Sequence, residues 1–317
     1  MQIFGKTRTI RINRAKRHIL TAAITTTLFA ASVELVGQDA AESPAGGCSG
    51  QQLVQRAAME LAHCSSLEVR FRQRATAFDQ EVAGSGIYLH QRIGQNLRMR
   101  LELKLQVADR LTTILQVSDG RFLWLRREGQ DDVSLGRVDL DELNAAWSAA
   151  GGASFSAMPI NLLAGGGLPR LLDGLGENVS FDVPMAAQWE STPVWTLQGR
   201  WSPGLLARLF PSEREKILAG DLPDPARLPR HMPSAVRVVL RQPDLIPLRI
   251  DYRRPAHDDS NNGGNKERSL LVMEFYEVRR HATLDGGLFR YDPGEQPFED
   301  LTYVYLERLR PEEAEEE

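Results

Sequence analysis

The chain has 317 residues, of which 42% are hydrophobic and 25% charged, and its formal net charge is −4. This length accommodates one large domain or two modest ones, and the apolar content is sufficient for a folded core. The acidic balance argues against a general nucleic-acid-binding protein, which needs a basic surface.

A targeting segment is predicted at the N-terminus. Basic residues are concentrated between Lys6 and Arg17, and residues 19–33 then run almost without charge. An apolar stretch this short suits the core of a signal peptide better than a membrane span. We therefore predict a signal peptide over residues 1–38, with an uncleaved anchor as the alternative, and a linker over residues 39–50. In both cases the rest of the chain is expected in the periplasm.

Two cysteines, Cys48 and Cys64, flank a helix that is predicted over residues 51–63. In an oxidising compartment they could form a disulfide that pins the segment before the helix to the helix end. Two unpaired thiols are the alternative, and the sequence leaves both open.

Alternating strands dominate the next part of the chain. From Leu97 to Val107 every second residue is apolar and the residues between are polar or charged, which predicts a strand with one dry face. A tight turn at residues 118–120 (Ser-Asp-Gly) then returns the chain in a strand that carries Trp124. The predicted strands of this part cover residues 66–74, 82–90, 96–107, 110–118, 121–127 and 133–138.

The second half alternates helices with further strands. Asp139 and Glu142 predict a capping box at the start of a helix over residues 139–150. Two short apolar runs within residues 153–176 predict short helices in a mobile cover. The remaining predicted elements are a helical stretch at 203–219 and strands at 178–184, 193–201, 234–241, 246–254 and 268–278.

This order of elements predicts an α+β fold with a large curved antiparallel sheet and helices on one face. Gly84 and Gly86 lie within one strand and predict a bend or bulge there. Residues 311–317 are an acidic tail that we expect to be solvated.

The sequence contains no recognisable catalytic or metal-binding motif. No two of its six histidines have the spacing of a metal-binding helix, and neither cysteine belongs to a Cys-x-x-Cys pair. The glycines at 165–167 are not followed by the Lys-Ser/Thr of a phosphate-binding loop. We therefore expect neither an enzyme nor a metal or other cofactor.

Several short motifs occur in an order that resembles the LolA/LolB-like fold family, which includes periplasmic carriers of outer-membrane lipoproteins. They are Phe-Arg-Gln at 71–73, Ser-Asp-Gly at 118–120 followed by Trp124, Pro-Leu-Arg-Ile-Asp-Tyr at 247–252 and Leu-Phe-Arg-Tyr-Asp-Pro at 288–293. The resemblance implies a half-open antiparallel β-barrel over residues 51–310, with helices that cover its concave face and an apolar interior that takes up acyl chains. It also implies that Arg92 holds the lid.

The leading expectation is a periplasmic carrier that takes up a lipid or a lipoprotein acyl chain. Its ligand-binding residues are predicted to be Leu97, Met99, Leu101, Leu103, Leu105, Trp124 and Met273, and the alternative for each is ordinary core packing. A second class is an envelope protein-interaction or sensor module with the same fold and no transported lipid, and an envelope enzyme is a third. The expected partners are therefore a lipid, an acylated protein or an envelope protein, without nucleic acid. The oligomeric state is not indicated.

Overall fold

The alternating segments form one open sheet. The computed structural model describes residues 48–77, 80–94, 96–149, 167–255 and 267–307, so the predicted leader, most of the linker and the acidic tail lie outside the described residues. Thirteen strands join in the order β13-β6-β5-β4-β3-β2-β1-β12-β11-β10-β9-β7, and β8 also pairs with β9. The predicted α+β class with a large antiparallel sheet is confirmed, and the described strands do not close into a barrel.

The elements have the following bounds. The strands are β1 Ser66–Ala77, β2 Gln80–Ile93, β3 Asn96–Val107, β4 Arg110–Ser118, β5 Phe122–Glu128, β6 Val133–Asp139, β7 Val179–Phe181, β8 Met185–Trp189, β9 Thr192–Trp201, β10 Ala235–Arg241, β11 Pro247–Pro255, β12 Glu267–Arg280 and β13 Glu299–Asp300. The helices are α1 Gly50–His63, α2 Leu140–Ala149, α3 Gly167–Asn178, α4 Pro203–Leu209, α5 Arg214–Leu218 and α6 Thr302–Glu307. No helix among these is long and apolar enough to cross a membrane.

Helices α1 and α3 cover one face of the sheet, which we call the covered face; the opposite one is the outer face. Directly opposed residues of antiparallel strands share a face, so Val69, Tyr88 and Leu101 lie side by side. The main core joins these side chains to apolar residues of both helices, namely Leu53, Val54, Ala57, Ala58 and Leu61 of α1 and Leu168, Leu171, Leu172 and Leu175 of α3. A smaller core around Leu123 and Val138 includes residues of α2 and α6.

Of the bend or bulge predicted at Gly84 and Gly86, the bulge is wrong. Both residues pair regularly with β1 and β3, without a register shift. A Cβ atom on Gly86 would overlap the carbonyl oxygen of Glu102 and press on the ring of Phe71. The glycines therefore serve close packing across β2 rather than a change of register.

The start of α2 is partly as predicted. The Asp139 carboxylate accepts hydrogen bonds from the backbone N–H groups of Asp141 (3.0 Å) and Glu142 (3.3 Å), which confirms it as the cap. The reciprocal half of the predicted capping box is wrong, because the Asp139 N–H donates to the Thr302 hydroxyl (2.9 Å) instead. The complete capping box is at α1, between Ser49 and Gln52.

Two other predicted segments are divided. The segment expected as a strand at 178–184 contains the last residue of α3 and the short β7, and a separate strand, β8, begins after it at Met185. The helix expected at 203–219 becomes α4 and α5, because Pro211 cannot donate the hydrogen bond that would continue α4. The strand β13 and the helix α6 were not predicted.

Residues 281–301, the C-terminal strap, cross the outer face from β12 to the sheet edge. Arg100 on β3 donates to the Leu288 carbonyl (3.1 Å), and β13 then pairs with β6 in parallel. Hydrogen bonds from the Thr302 hydroxyl and from Arg137 lower the pKa of Asp300 to about 2. The strap thus ties β6 to α6, which packs beside α2 on the other face.

Cys48 and Cys64 are free thiols. They lie at opposite ends of α1, whose 14 residues at 1.5 Å per residue separate them by about 20 Å. A disulfide needs Cα atoms within about 7 Å, so the unpaired alternative holds.

Arg254 at the end of β11 fastens the connector that precedes β10. Its guanidinium donates to four backbone carbonyls, those of Ala226 (3.3 Å), Leu228 (3.0 Å), Pro229 (2.5 Å) and Met232 (3.2 Å). Burial and the neighbouring arginines lower the pKa of Arg254. The four carbonyls stabilise the charged guanidinium, because each directs a partial negative charge at it.

We predict that Arg254→Ala lowers the free energy of unfolding by about 2 kcal/mol, because it removes charge-assisted hydrogen bonds and frees four carbonyls. Urea denaturation measures this. Arg74→Ala, at an exposed position of β1, is the control and should change stability by less than about 0.5 kcal/mol. Full stability in Arg254→Lys, whose ammonium cannot reproduce the planar fork, would contradict this explanation.

Candidate functional site

Six of the seven predicted ligand-binding residues share the covered face. Five of them are alternate residues of β3, namely Leu97, Met99, Leu101, Leu103 and Leu105. Met273 is on the same face, because the strands pair Met273 with Gln73, Gln73 with Gly84 and Gly84 with Leu105. Met99 (3% exposed), Leu101 (2%), Leu103 (7%) and Met273 (3%) are buried, whereas Leu97 and Leu105 are half-buried. We call the five β3 residues the apolar wall.

Trp124 lies on the outer face, so its predicted place in the wall is wrong. Trp124 pairs with Val117, and Val117 pairs with Arg100. These three side chains therefore point away from the face that carries the leucines of β3. Its ring contacts Tyr291 (centroids 5.4 Å apart) and Phe298 (5.0 Å) of the C-terminal strap. Trp124 therefore anchors the strap.

The wall is closed in its middle and partly open at its two ends. Its centre is one core with the leucines of α1 and α3, while Ile114, opposite Leu103 on β4, is only half-buried. Leu105 and Ala75 are likewise half-buried beside it. A continuous apolar strip therefore runs from beneath the helices to solvent, and such a strip can hold a hydrocarbon chain.

Arg92 joins the sheet to the end of α1. It lies opposite Leu97 on the covered face, and its Nε donates to the Ala62 carbonyl (2.5 Å) in the last turn of the helix. Its backbone N–H donates to the Ser65 carbonyl (2.8 Å). A cation at a helix C-terminus is also favoured by the helix dipole. The described position brings Arg92 to the helix cover, and its lid-holding role stays a prediction.

A buried tyrosine–histidine pair lies beside the wall and was not predicted. Tyr88 is opposite Leu101 and His90 opposite Met99, and the Tyr88 hydroxyl is 3.1 Å from His90 Nδ1. Burial lowers the pKa of His90 to about 4, so the ring is neutral near pH 7. Parity within β2 gave no signal, because the residues that share the phase of this pair, such as Gly84, Gly86 and Arg92, are no more apolar than those of the other phase.

The cover meets this pair at the first residue of α3. Gly167 has φ +68°, and a Cβ there would overlap the Tyr88 hydroxyl. The backbone of Leu168 hydrogen-bonds the same hydroxyl, although burial has the larger effect and raises the Tyr88 pKa. The N-terminus of α3 thus meets the sheet at the Tyr88 side chain.

Within the described ranges, no group of three or more His, Cys, Asp or Glu side chains is placed to hold a metal ion. The structure thus offers a metal no ligand set in the part of the chain that it describes.

Comparisons with known proteins give similarity to solved structures alone. No protein-family model matches the chain, and no curated protein does. A DUF1329 family protein from Desulfovibrio piger is similar with TM-score 0.31 and 9% identity, covering 76% of this chain and 96% of that one. A putative outer membrane lipoprotein-sorting protein domain from Vibrio parahaemolyticus gives TM-score 0.29, 8% identity and coverages of 76% and 95%. A LolA superfamily protein from Nitrosomonas europaea is similar with TM-score 0.28 and 12% identity, covering 77% of this chain and 98% of that one.

We predict that Gly167→Ala loosens α3, because the added methyl group meets Tyr88 and the positive φ is strained. The free energy of unfolding should fall by about 3 kcal/mol. Binding of a dye that reports exposed apolar surface should rise. Urea denaturation and dye fluorescence measure the two effects.

Gly94→Ala is the matched control, since Gly94 has φ +59° and nothing within 4 Å of its Cβ position. It isolates the backbone strain, about 1 kcal/mol. Equal losses in both variants would show that contact with Tyr88 does not constrain α3.

Proposed function

We propose that this protein binds the acyl chain of a lipid or an acylated protein along the apolar wall, and carries it in the periplasm. The observation that carries the proposal is the wall itself: one strand whose apolar side chains run from solvent at Leu105, beneath a helix cover, to solvent again at Leu97.

The dimensions and energetics suit a hydrocarbon chain. Between Leu97 and Leu105 the strand spans roughly 27 Å at 3.4 Å per residue, which accommodates a long acyl chain. Each methylene group moved from water to such a surface contributes about 0.8 kcal/mol. A chain lying along the wall therefore gains enough free energy to compete with the leucines of the cover.

The cover can be exchanged for a ligand because its contacts with the wall are apolar. Leu168, Leu171, Leu172 and Leu175 of α3 contribute side chains without hydrogen-bonding groups. The polar ties of the cover are few: one joins the Gln51 side chain to the Gly176 carbonyl within the cover, and Arg92 and Tyr88 hold its helix ends to the sheet. Apolar contact is not directional, so an acyl chain can replace leucine side chains without leaving a polar group unpaired.

The alternative, an envelope interaction module without a transported lipid, is favoured by a different observation. Val183 (71% exposed), two residues before β8, and Met185 (55%), its first residue, are exposed near one end of the sheet. A strand at a sheet edge with exposed apolar side chains can pair with an extended segment of another protein.

Native mass spectrometry of protein purified without detergent, with uptake of a fluorescent fatty acid, separates the two functions. A co-purifying lipid and saturable uptake support the carrier. Empty protein that does not take up the probe would exclude the carrier and favour the interaction module.

We predict that Leu105→Asp weakens binding of the fluorescent fatty acid at least tenfold, because it places a charge on the half-buried end of the wall. Leu111→Asp is the matched control, since Leu111 is 52% exposed and points to the outer face of the adjacent strand. Fluorescence titration measures both affinities. Equal losses in the two variants would mean that the probe does not bind along the wall.

We predict that Arg92→Leu speeds both uptake and release of the same probe, because α1 loses its hydrogen bond and its favourable charge at Ala62. Stopped-flow fluorescence measures the two rates. Lys104→Leu removes a cation from an exposed position of the neighbouring strand and should leave them unchanged. Unchanged rates in Arg92→Leu would show that Arg92 does not hold the cover.

A further inference from the structure

Arg92 is a cation without a carboxylate partner at one end of the apolar wall. It is half-buried and pairs with Leu97, the half-buried end of the wall, on the same face of the sheet. Its Nε donates to the Ala62 carbonyl of α1 (2.5 Å), and it forms no salt bridge with any residue that the structure describes. Within those residues its charge is met by the partial negative charge of a helix end alone.

The acidic residue in the last turn of α1 is directed to a different arginine. Glu60 is the one acidic residue of this helix, and its carboxylate lies 3.9 Å from Nη2 of Arg280. Arg280 reaches the covered face, opposite Leu67, because β12 contains a bulge at Glu277, which has φ +49°. Arg280 thus takes the carboxylate of α1, and Arg92 is left with a neutral carbonyl.

The guanidinium of Arg92 keeps donors for a ligand. An arginine carries five N–H donors in a planar fork, and the bond to Ala62 uses the one at Nε. The donors on the two terminal nitrogens have no hydrogen-bond partner in the described part of the chain. This edge of a guanidinium binds a carboxylate or a phosphate through two parallel hydrogen bonds, and a full negative charge is a stronger acceptor than a carbonyl.

We propose that Arg92 binds an anionic headgroup, a carboxylate or a phosphate, of the amphiphile whose chain lies along the wall. This inference rests on the proposed function and adds to it the chemical class of the ligand and its orientation. The headgroup lies at Arg92, and the hydrocarbon chain runs from Leu97 toward Leu105. A neutral lipid gains the same apolar contacts without the ion pair, so the wall prefers an anionic amphiphile to a neutral one of equal length.

The opposite end of the wall offers a weaker site. Arg110 pairs with Val107 and therefore lies on the covered face beyond Leu105. It is exposed, whereas Arg92 is half-buried. Water and salt screen an exposed cation, so an ion pair at Arg110 contributes little to affinity. Arg110 is therefore the cation against which the orientation is tested.

Three ligands of equal chain length test the proposal: dodecanoate and dodecyl phosphate, which are anionic at pH 8, and 1-dodecanol, which is neutral. Displacement of a neutral apolar dye from the purified protein measures their affinities. Arg92→Gln removes the charge but keeps a donor for Ala62, because the glutamine amide nitrogen is as many bonds from Cα as the arginine Nε. In this variant the affinities for both anionic ligands should fall about tenfold, while that for dodecanol stays unchanged.

Arg110→Gln is the matched control and should leave all three affinities unchanged. Equal changes for the anionic ligands and dodecanol in Arg92→Gln, or no change for the anionic ligands, would overturn the proposal. A loss of affinity for the anionic ligands in Arg110→Gln and not in Arg92→Gln would place the headgroup at the other end of the wall and overturn it as well.

Carbon-13 NMR of dodecanoate labelled at its carboxyl carbon needs no variant and stays readable if Arg92→Gln does not fold. A carboxylate paired with a guanidinium has a lowered pKa, so the bound ligand should titrate at lower pH than the free one. A bound carboxyl group that titrates at higher pH, as burial alone would cause, would overturn the proposal.

The same measurements separate this inference from the proposed function. Binding of dodecanoate and dodecanol to the unmodified protein with equal affinity would overturn the inference and leave the proposed function standing. If none of the three ligands binds the unmodified protein, the proposed function fails and this inference with it.

Discussion

The antiparallel register of β1 to β5 is the constraint on which the rest of the structure depends. It places Leu101 opposite Tyr88 beneath the helices and Arg100 opposite Val117 on the outer face. A slip of one residue between strands would exchange the two sets, burying the charges of β3 and exposing its leucines. The apolar wall, the helix cover and the buried His90 exist together only in this register. Gly86 helps to fix it, because a larger residue would collide with the adjacent strand.

Alternation within a strand was readable from the sequence, but the face on which a distant residue lies was not. The bounds of β3 and the shared face of its leucines follow from period two alone. Trp124 was misplaced because its parity depends on how residues 118–122 turn, and one residue more or less reverses every side chain of β5. The short elements β8, β13 and α6 have too few residues for a periodic signal, and tertiary contacts create them. Tyr88 and His90 escaped notice because a buried polar pair is recognisable only once its partners are known.

The two ends of the fold resist opening to different degrees. At β6 the C-terminal strap crosses the outer face, pairs as β13 and continues into α6 on the other side, so that parting α2 from the sheet also breaks the bond from Asp139 to Thr302. The polar ties of α3 to its surroundings include those to Tyr88, Gln51 and Arg208, and its apolar contacts with the core are leucine side chains. Local opening follows the path with fewer directional bonds. Under the proposed function, we therefore expect the cover formed by α1 and α3 to open more readily than the sheet edge that the strap holds.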